Sequence, residues 1–187
     1  RGNRRVVRLD RDLNVVGSLS GESGSADFGF PVDVAASSFE TLFILDSENS
    51  RVAAVNGFSS VAHTFGGIEA GPGRLHEPVA LTQVGSELLC VLEHERVVVF
   101  DLFGSYRFHF GEGVLREARG ICAVGDRLAV ISKTELQIFS TTGELLATIG
   151  REKMALAGAV QEFRDIAYGP DFLLILTDRT CILIPVN

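Results

Sequence analysis

Apolar runs of four to six residues alternate with polar turns along the whole chain, and no convincing helical period interrupts them. The turns are two to five residues long and carry Asp, Asn or Gly. Runs bounded by such residues read as strands joined by tight turns. The densest runs, Leu88 to Leu92, Val97 to Phe100 and Phe172 to Leu176, hold four or five residues, against the roughly 20 that a membrane-spanning helix needs. That length suits strands buried on both faces.

The runs recur in units of four. The third run of each unit opens at Val6, Val52, Val97, Leu136 and Ile182, at steps of 46, 45, 39 and 46 residues. The fourth closes at Leu19, Phe65, Phe110 and Ile149, at steps of 46, 45 and 39. Both series shorten at the same unit, as they must if one structural module repeats. First runs open at Pro31, Pro78, Ala118 and Phe163, and second runs at Leu42, Leu88, Leu128 and Leu173. The turn between third and fourth runs carries Asn56 and Gly57, then Asp101 and Gly104, then Thr142 and Gly143. One domain over residues 1–187 is predicted, divided into a partial unit 1–21, complete units 28–67, 75–111 and 115–150, and a partial unit 160–187.

Unit one reads Pro31, Val32, Asp33, then Leu42 to Asp46, Asn49, Arg51 and Val52, ending at Phe65 and Gly66. Unit two keeps Pro78, Arg96, Val97, Asp101, Phe110 and Gly111 behind the link Gly71, Pro72, Gly73, and the N-terminus repeats Asn3, Arg5 and Val6. These residues resemble the repeat of NHL-type and bacterial six-bladed β-propellers. Units three and four depart from it, with Ala118 and Phe163 in place of the proline and no Asn-x-Arg before Leu136 or Ile182. The resemblance implies an all-β fold: a β-propeller of four-stranded antiparallel blades, with about four and a quarter blades in this chain. A parallel β-helix is the architectural alternative, disfavoured because two-residue turns make antiparallel hairpins. Counted on this register the chain has 17 strands, where a six-bladed ring uses about 24. Either the chain is part of a longer polypeptide, or its ends meet in a four-bladed ring. The first is expected, because the second leaves the strand from Val6 redundant and an apolar edge exposed.

Composition narrows the function classes. The chain is 46% apolar with mean hydropathy +0.25, a net charge of −7 and a pI near 5.1. Such a field repels nucleic acid and anionic lipid, so no nucleic-acid partner is expected. The basic run Arg1, Arg4, Arg5 and Arg8 reads as a solvated hairpin. Cys90, Cys122 and Cys181 lie in apolar runs without metal-binding spacing and read as buried free thiols. The sequence starts at Arg1, with no initiator Met and no signal-like apolar segment. An export signal was therefore removed or never present, and the bacterial look-alikes point to a periplasmic or extracellular protein.

In an antiparallel meander, the link into the first strand and the turn between second and third strands share one face of the disc. That loop face gathers Asp33, Asp46, Glu48, Asn49 and Arg51, then His76, Glu77, Glu93, His94, Glu95 and Arg96, then Glu117 and Arg119, then Arg164, Asp165, Asp178 and Arg179. Asp46 with Arg51 reads as a hairpin clamp. Arg119 and Arg164, with Glu117 and Asp165, either line the channel mouth and receive an acidic partner or serve only charge balance with Glu117 and Glu162. His76, Glu77 and His94 are the residues a divalent metal would use, as in metal-dependent hydrolases or lyases of the six-bladed class. Gly66, Gly67, Gly71 and Gly73 precede no helix, so no phosphate cradle follows. No Gly-x-Ser-x-Gly elbow is present. The expected function is a non-catalytic scaffold or accessory subunit with protein partners, no cofactor and no catalytic residues; the metal-dependent enzyme is the alternative.

Overall fold

The computed structural model describes residues 4–20, 28–37, 40–154 and 162–186. Arg1, Asn3 and Asn187, and with them the outer limits of both partial units, lie outside the described residues. Among the described residues seventeen strands form: β1 (Arg5–Leu9), β2 (Val15–Ser20), β3 (Pro31–Ala36), β4 (Thr41–Asp46), β5 (Arg51–Asn56), β6 (Ser60–Phe65), β7 (Ala80–Val84), β8 (Leu88–Leu92) and β9 (Val97–Asp101). They continue as β10 (Tyr106–Phe110), β11 (Gly120–Val124), β12 (Arg127–Ile131), β13 (Glu135–Ser140), β14 (Leu145–Gly150), β15 (Phe163–Tyr168), β16 (Phe172–Thr177) and β17 (Cys181–Pro185). Two single turns of 3-10 helix, Gly71–Gly73 and Arg151–Met154, are the only helical pieces among the described residues.

All pairing is antiparallel between consecutive strands. Three complete four-stranded blades, β3 to β6, β7 to β10 and β11 to β14, stand between the two-stranded sheet β1–β2 and the three-stranded sheet β15 to β17. The first strands β3, β7, β11 and β15 lie beside one another in that order, as the inner strands of a propeller. Side chains tie them together: Asp33 Oδ2 accepts the Leu81 N–H at 2.8 Å, and Thr82 Oγ1 accepts the Ala123 N–H at 3.3 Å. The inner strands of the second and third blades begin at Ala80 and Gly120, two residues after Pro78 and Ala118; Ala118 donates its N–H to His94 O of the preceding blade, whereas Pro78 has no N–H to donate.

The core is a stack of sheet-on-sheet layers. One layer packs Phe43, Leu45, Val52 and Ala54 against Leu81, Leu89, Val91, Val98 and Phe100; the next packs Cys90, Leu92, Val97 and Val99 against Ile121, Leu128, Val130 and Phe139. The third packs Ala129, Ile131 and Leu136 against Phe163, Ile166, Leu173 and Ile175. The central strands are therefore buried on both faces, the physical reason for continuous rather than alternating apolar runs. The fourth-strand aromatics bridge layers: Phe65 packs on Phe100 at 5.0 Å between ring centroids and Phe110 on Phe139 at 5.2 Å.

In the last blade the observed register differs by one from the sequence reading. Thr177 N–H bonds Thr180 O as Glu93 bonds Arg96 O and Ser132 bonds Glu135 O. Cys181, not Ile182, is therefore the equivalent of Val52, Val97 and Leu136. A slip of one residue exchanges the two faces of a strand, so Ile182 packs into the third core layer while Cys181 is exposed. The expectation of three buried thiols fails at this position. Burial pushes the Cys90 and Cys122 thiols up to about 12, with Asp165 adding to the shift at Cys122. Only the thiolate reacts with disulfide reagents. Titration with such a reagent at pH 8 should thus find one fast thiol in the folded 187-residue chain and all three in denaturant; no fast thiol would contradict the register.

Candidate loop-face interface

A buried polar residue closes the second strand of every blade. Asp46, Glu93, Ser132 and Thr177 occupy equivalent positions and are all buried. Each organises the turn into the third strand. Asp46 accepts the N–H groups of Gly29 (3.1 Å) and Phe30 (2.8 Å), the Asn49 amide (2.7 Å) and Arg51 Nε (3.3 Å). Glu93 accepts Arg96 Nε at 2.6 Å and the His76 N–H at 2.5 Å. Ser132 accepts the Thr134 N–H, and Thr177 those of Arg179 and Thr180. Burial alone would push the Asp46 carboxyl up, but the bonds from Asn49, Phe30 and Gly29, with the Arg51 guanidinium, hold it below the usual carboxylate range. At Asp33 burial prevails over the bonds from Leu81 and Val34, and Asp165 adds to it, so that carboxyl is pushed up. The Asp46 to Arg51 clamp was legible in the sequence. Its counterparts at Ser132 and Thr177 were not, because each blade fills the position with a different residue type.

Arg119 enters the third blade with its guanidinium across the blade boundary. Its Nη1 donates to Glu162 Oε2 and to Phe163 O, both at 3.2 Å, while Arg164 Nη2 lies 3.6 Å from the same Glu162 oxygen. The structure thus joins Arg119 and Arg164 through one shared carboxylate. Glu117 stands apart from them on Lys133 at 2.6 Å, which holds its carboxyl below the usual range, with smaller help from Arg119 and His94. Asp165 accepts the Ile166 N–H at 2.8 Å and lies beside Gly120 of the neighbouring inner strand. Two guanidinium groups thus share one carboxylate, and Arg164 is about half exposed.

The suggested metal residues do not converge. His76 offers Glu93 its backbone N–H, His94 places Nδ1 3.2 Å from Ala118 O, and Glu77 holds a left-handed backbone, φ 47°, just before Pro78. Among the described residues no three His, Cys, Asp or Glu side chains form a ligand cluster. Two features escaped the sequence reading. One is a polar chain from Tyr106 Oη to His109 Nδ1 (2.8 Å), from His109 Nε2 to Glu112 (3.5 Å), and on to Arg96 (3.6 Å). The other is a cleft of about 690 Å³ on the opposite face between the first two complete blades, lined by Phe43, His63, Leu102, Phe103 and Arg107 among others. Its one advance sign was Phe103 in a turn, a large apolar residue where polar ones are usual.

No protein-family model matches the chain. No curated protein matches it. Solved structures do match. Virginiamycin B lyase from Staphylococcus aureus is similar with a TM-score of 0.66 at 11% identity, over 98% of this chain and 64% of that one. BBS1N in complex with ARL6DN gives 0.65 at 11%, over 96% and 56%. The Neurospora crassa Pan2 WD40 domain gives 0.62 at 12%, over 84% and 47%. Blade geometry and these likenesses together define a β-propeller protein. The chain spans about 64% of the length of the lyase it matches. At such identities the likeness carries the fold alone, and the neighbours include both a lyase and a domain solved in complex with another protein.

Proposed function

We propose that this chain is the greater part of a six-bladed, NHL-like propeller that acts as a non-catalytic scaffold, holding an acidic segment of a protein partner at the Arg119, Glu162 and Arg164 cluster. The carrying observation is the pair of guanidinium groups on one shared carboxylate, with Arg164 about half exposed, on a face whose other recurrent polar groups are taken up by neighbouring loops. Propellers serve as discs on which loops bind, and a cation beside a shared carboxylate favours an acidic group. Protein purified from its natural source, examined by native mass spectrometry, should carry a protein partner. With that partner in hand, Arg164→Ala should weaken binding about tenfold, equivalent to about 1.4 kcal/mol, with a loss that shrinks at high salt. Equal affinity for the variant and the unaltered protein would overturn the reading. Arg119→Ala is less discriminating because Arg119 also ties two blades. The metal-dependent hydrolase or lyase alternative predicts about one equivalent of tightly held divalent metal per chain, which elemental analysis measures directly.

A further inference from the structure

The cleft opposite the loop face lies between two complete blades, β3 to β6 and β7 to β10, away from both ends of the sequence. In the next seam, between β7 to β10 and β11 to β14, Phe108 pairs with Val99 and packs into the shared core layer. The equivalent position in the first seam is His63, paired with Ala54, and here the cleft of about 690 Å³ opens. That volume is within the range of small-molecule sites, roughly 300 to 1,000 Å³. Phe43, Leu88 and Leu102 give it an apolar lining, and Phe103 stands at its lip, 85% exposed. The corresponding turn of the third complete blade holds Thr142 at this position. The turn itself therefore does not require an aromatic ring.

The cleft runs across the strands, with opposite charges at its two ends. Glu87 lies in the turn between β7 and β8, and Arg107 lies on the outermost strand β10. Arg107 is the extra residue of a β-bulge between Tyr106 and Phe108, a distortion that re-aims a side chain. Neither Glu87 nor Arg107 has an ion-pair or hydrogen-bond partner among the described residues. His63 is held by stacking on Phe65, 5.9 Å between ring centroids. Between the ends, Asp101 Oδ1 accepts the N–H groups of Phe103 and Ser105, and Asn56 accepts the Thr41 hydroxyl at 3.3 Å through its side-chain oxygen. Adjacent strands lie about 4.8 Å apart, which sets the β7–β8 turn roughly 12 Å from β10.

We propose that this cleft binds a short extended peptide with free termini and an apolar middle residue, its ammonium group at Glu87 and its carboxylate at Arg107. An extended chain covers about 3.5 Å per residue, so three residues span about 10 Å and reach from one charge to the other. An unpaired carboxylate and an unpaired guanidinium at opposite ends match a dipolar ligand and select against a single charge of either sign. The guanidinium fork suits a terminal carboxylate. Phe103 and the apolar lining receive the middle side chain. The Asn56 amide and the Asp101 carboxylate supply a donor and an acceptor for the peptide's own C=O and N–H groups.

Isothermal titration calorimetry of the protein with the tripeptide Ala-Phe-Ala tests this. Saturable binding is expected, weakened about fivefold by N-acetylation and about fivefold by C-terminal amidation of the peptide. Glu87→Gln should remove the penalty of acetylation and keep that of amidation, and Arg107→Gln should do the reverse. Both side chains are exposed, so circular dichroism of the two variants should match that of the unaltered protein. Phe103→Ser should weaken Ala-Phe-Ala more than Ala-Gly-Ala. The proposal is overturned by an absence of saturable binding at millimolar peptide, by a doubly capped peptide that binds as tightly as the free one, or by cap penalties that neither substitution changes. Arg164 lies on the other face, so the outcome here is independent of partner binding there.

Discussion

Replacing Asp46 by Ala is expected to cost about 4 kcal/mol of stability, within the range for removing one member of a buried, hydrogen-bonded charge pair. The carboxylate is fully buried and collects two backbone N–H groups, the Asn49 amide and Arg51 Nε. Without it, the donors at Gly29 and Asn49 lose a partner in a site with little room for water. Asp46→Asn keeps one acceptor oxygen and should cost about half as much. The chain contains no Trp, so denaturant midpoints are best followed by far-UV circular dichroism. A loss under about 1 kcal/mol for Asp46→Ala would show that the turn holds without its anchor. The pH dependence has a definite sign. The folded-state value lies below the ordinary 3.8, so the contribution is complete above pH 3.8 and is lost as pH falls through the folded value. Asp46→Ala should accordingly flatten the acid limb of the stability profile. Asp33, whose carboxyl is pushed up, acts in the opposite direction and weakens the fold once ionised.

Gly104→Ala should cost about 3 kcal/mol, from two sources. The residue sits at φ +86°, where a side chain costs about 1 to 2 kcal/mol, and an added Cβ would stand 2.5 Å from Cδ1 of Phe65 in the preceding blade. Phe65 is held against Phe100 and Phe43, so relief requires repacking between blades, an overpacking cost of about 1 to 3 kcal/mol. Gly143 repeats the arrangement against Phe110, at φ +90° with a Cβ 2.6 Å from the Phe110 side chain, and Gly143→Ala should behave alike. Gly57 supplies the control: φ is +57° but nothing lies within 4 Å of its Cβ position, so Gly57→Ala carries the backbone cost alone. If Gly104→Ala and Gly57→Ala shift the denaturation midpoint equally, the contact between the turn and Phe65 contributes nothing.

These two sites show how far the sequence could be read. Asp46 with Arg51 was readable because both ends of one hairpin are close in sequence and of opposite charge. That Gly104 answers to Phe65 was not, since the two are brought together only when one blade stacks on the next. Sequence spacing likewise pointed to Arg119 and Arg164 as equivalents and to Glu117 and Glu162 as balancing carboxylates, but that both arginines share Glu162 while Glu117 goes to Lys133 depends on how the blades stack. His76 and His94 lay on the expected loop face, but a shared face does not make their rings converge.

Strand number, blade order and the site of each turn were determined by the sequence alone, because turn residues and apolar runs act over fewer than ten neighbours and the module repeats. Only the tertiary structure decided which face of each strand meets which neighbour. The last blade makes the point: Ile182 and Cys181 are adjacent, equally apolar in setting and equally plausible as the repeat position. A pleated strand sends them to opposite faces. The turn hydrogen bond from Thr177 to Thr180 set the register that buries one and exposes the other.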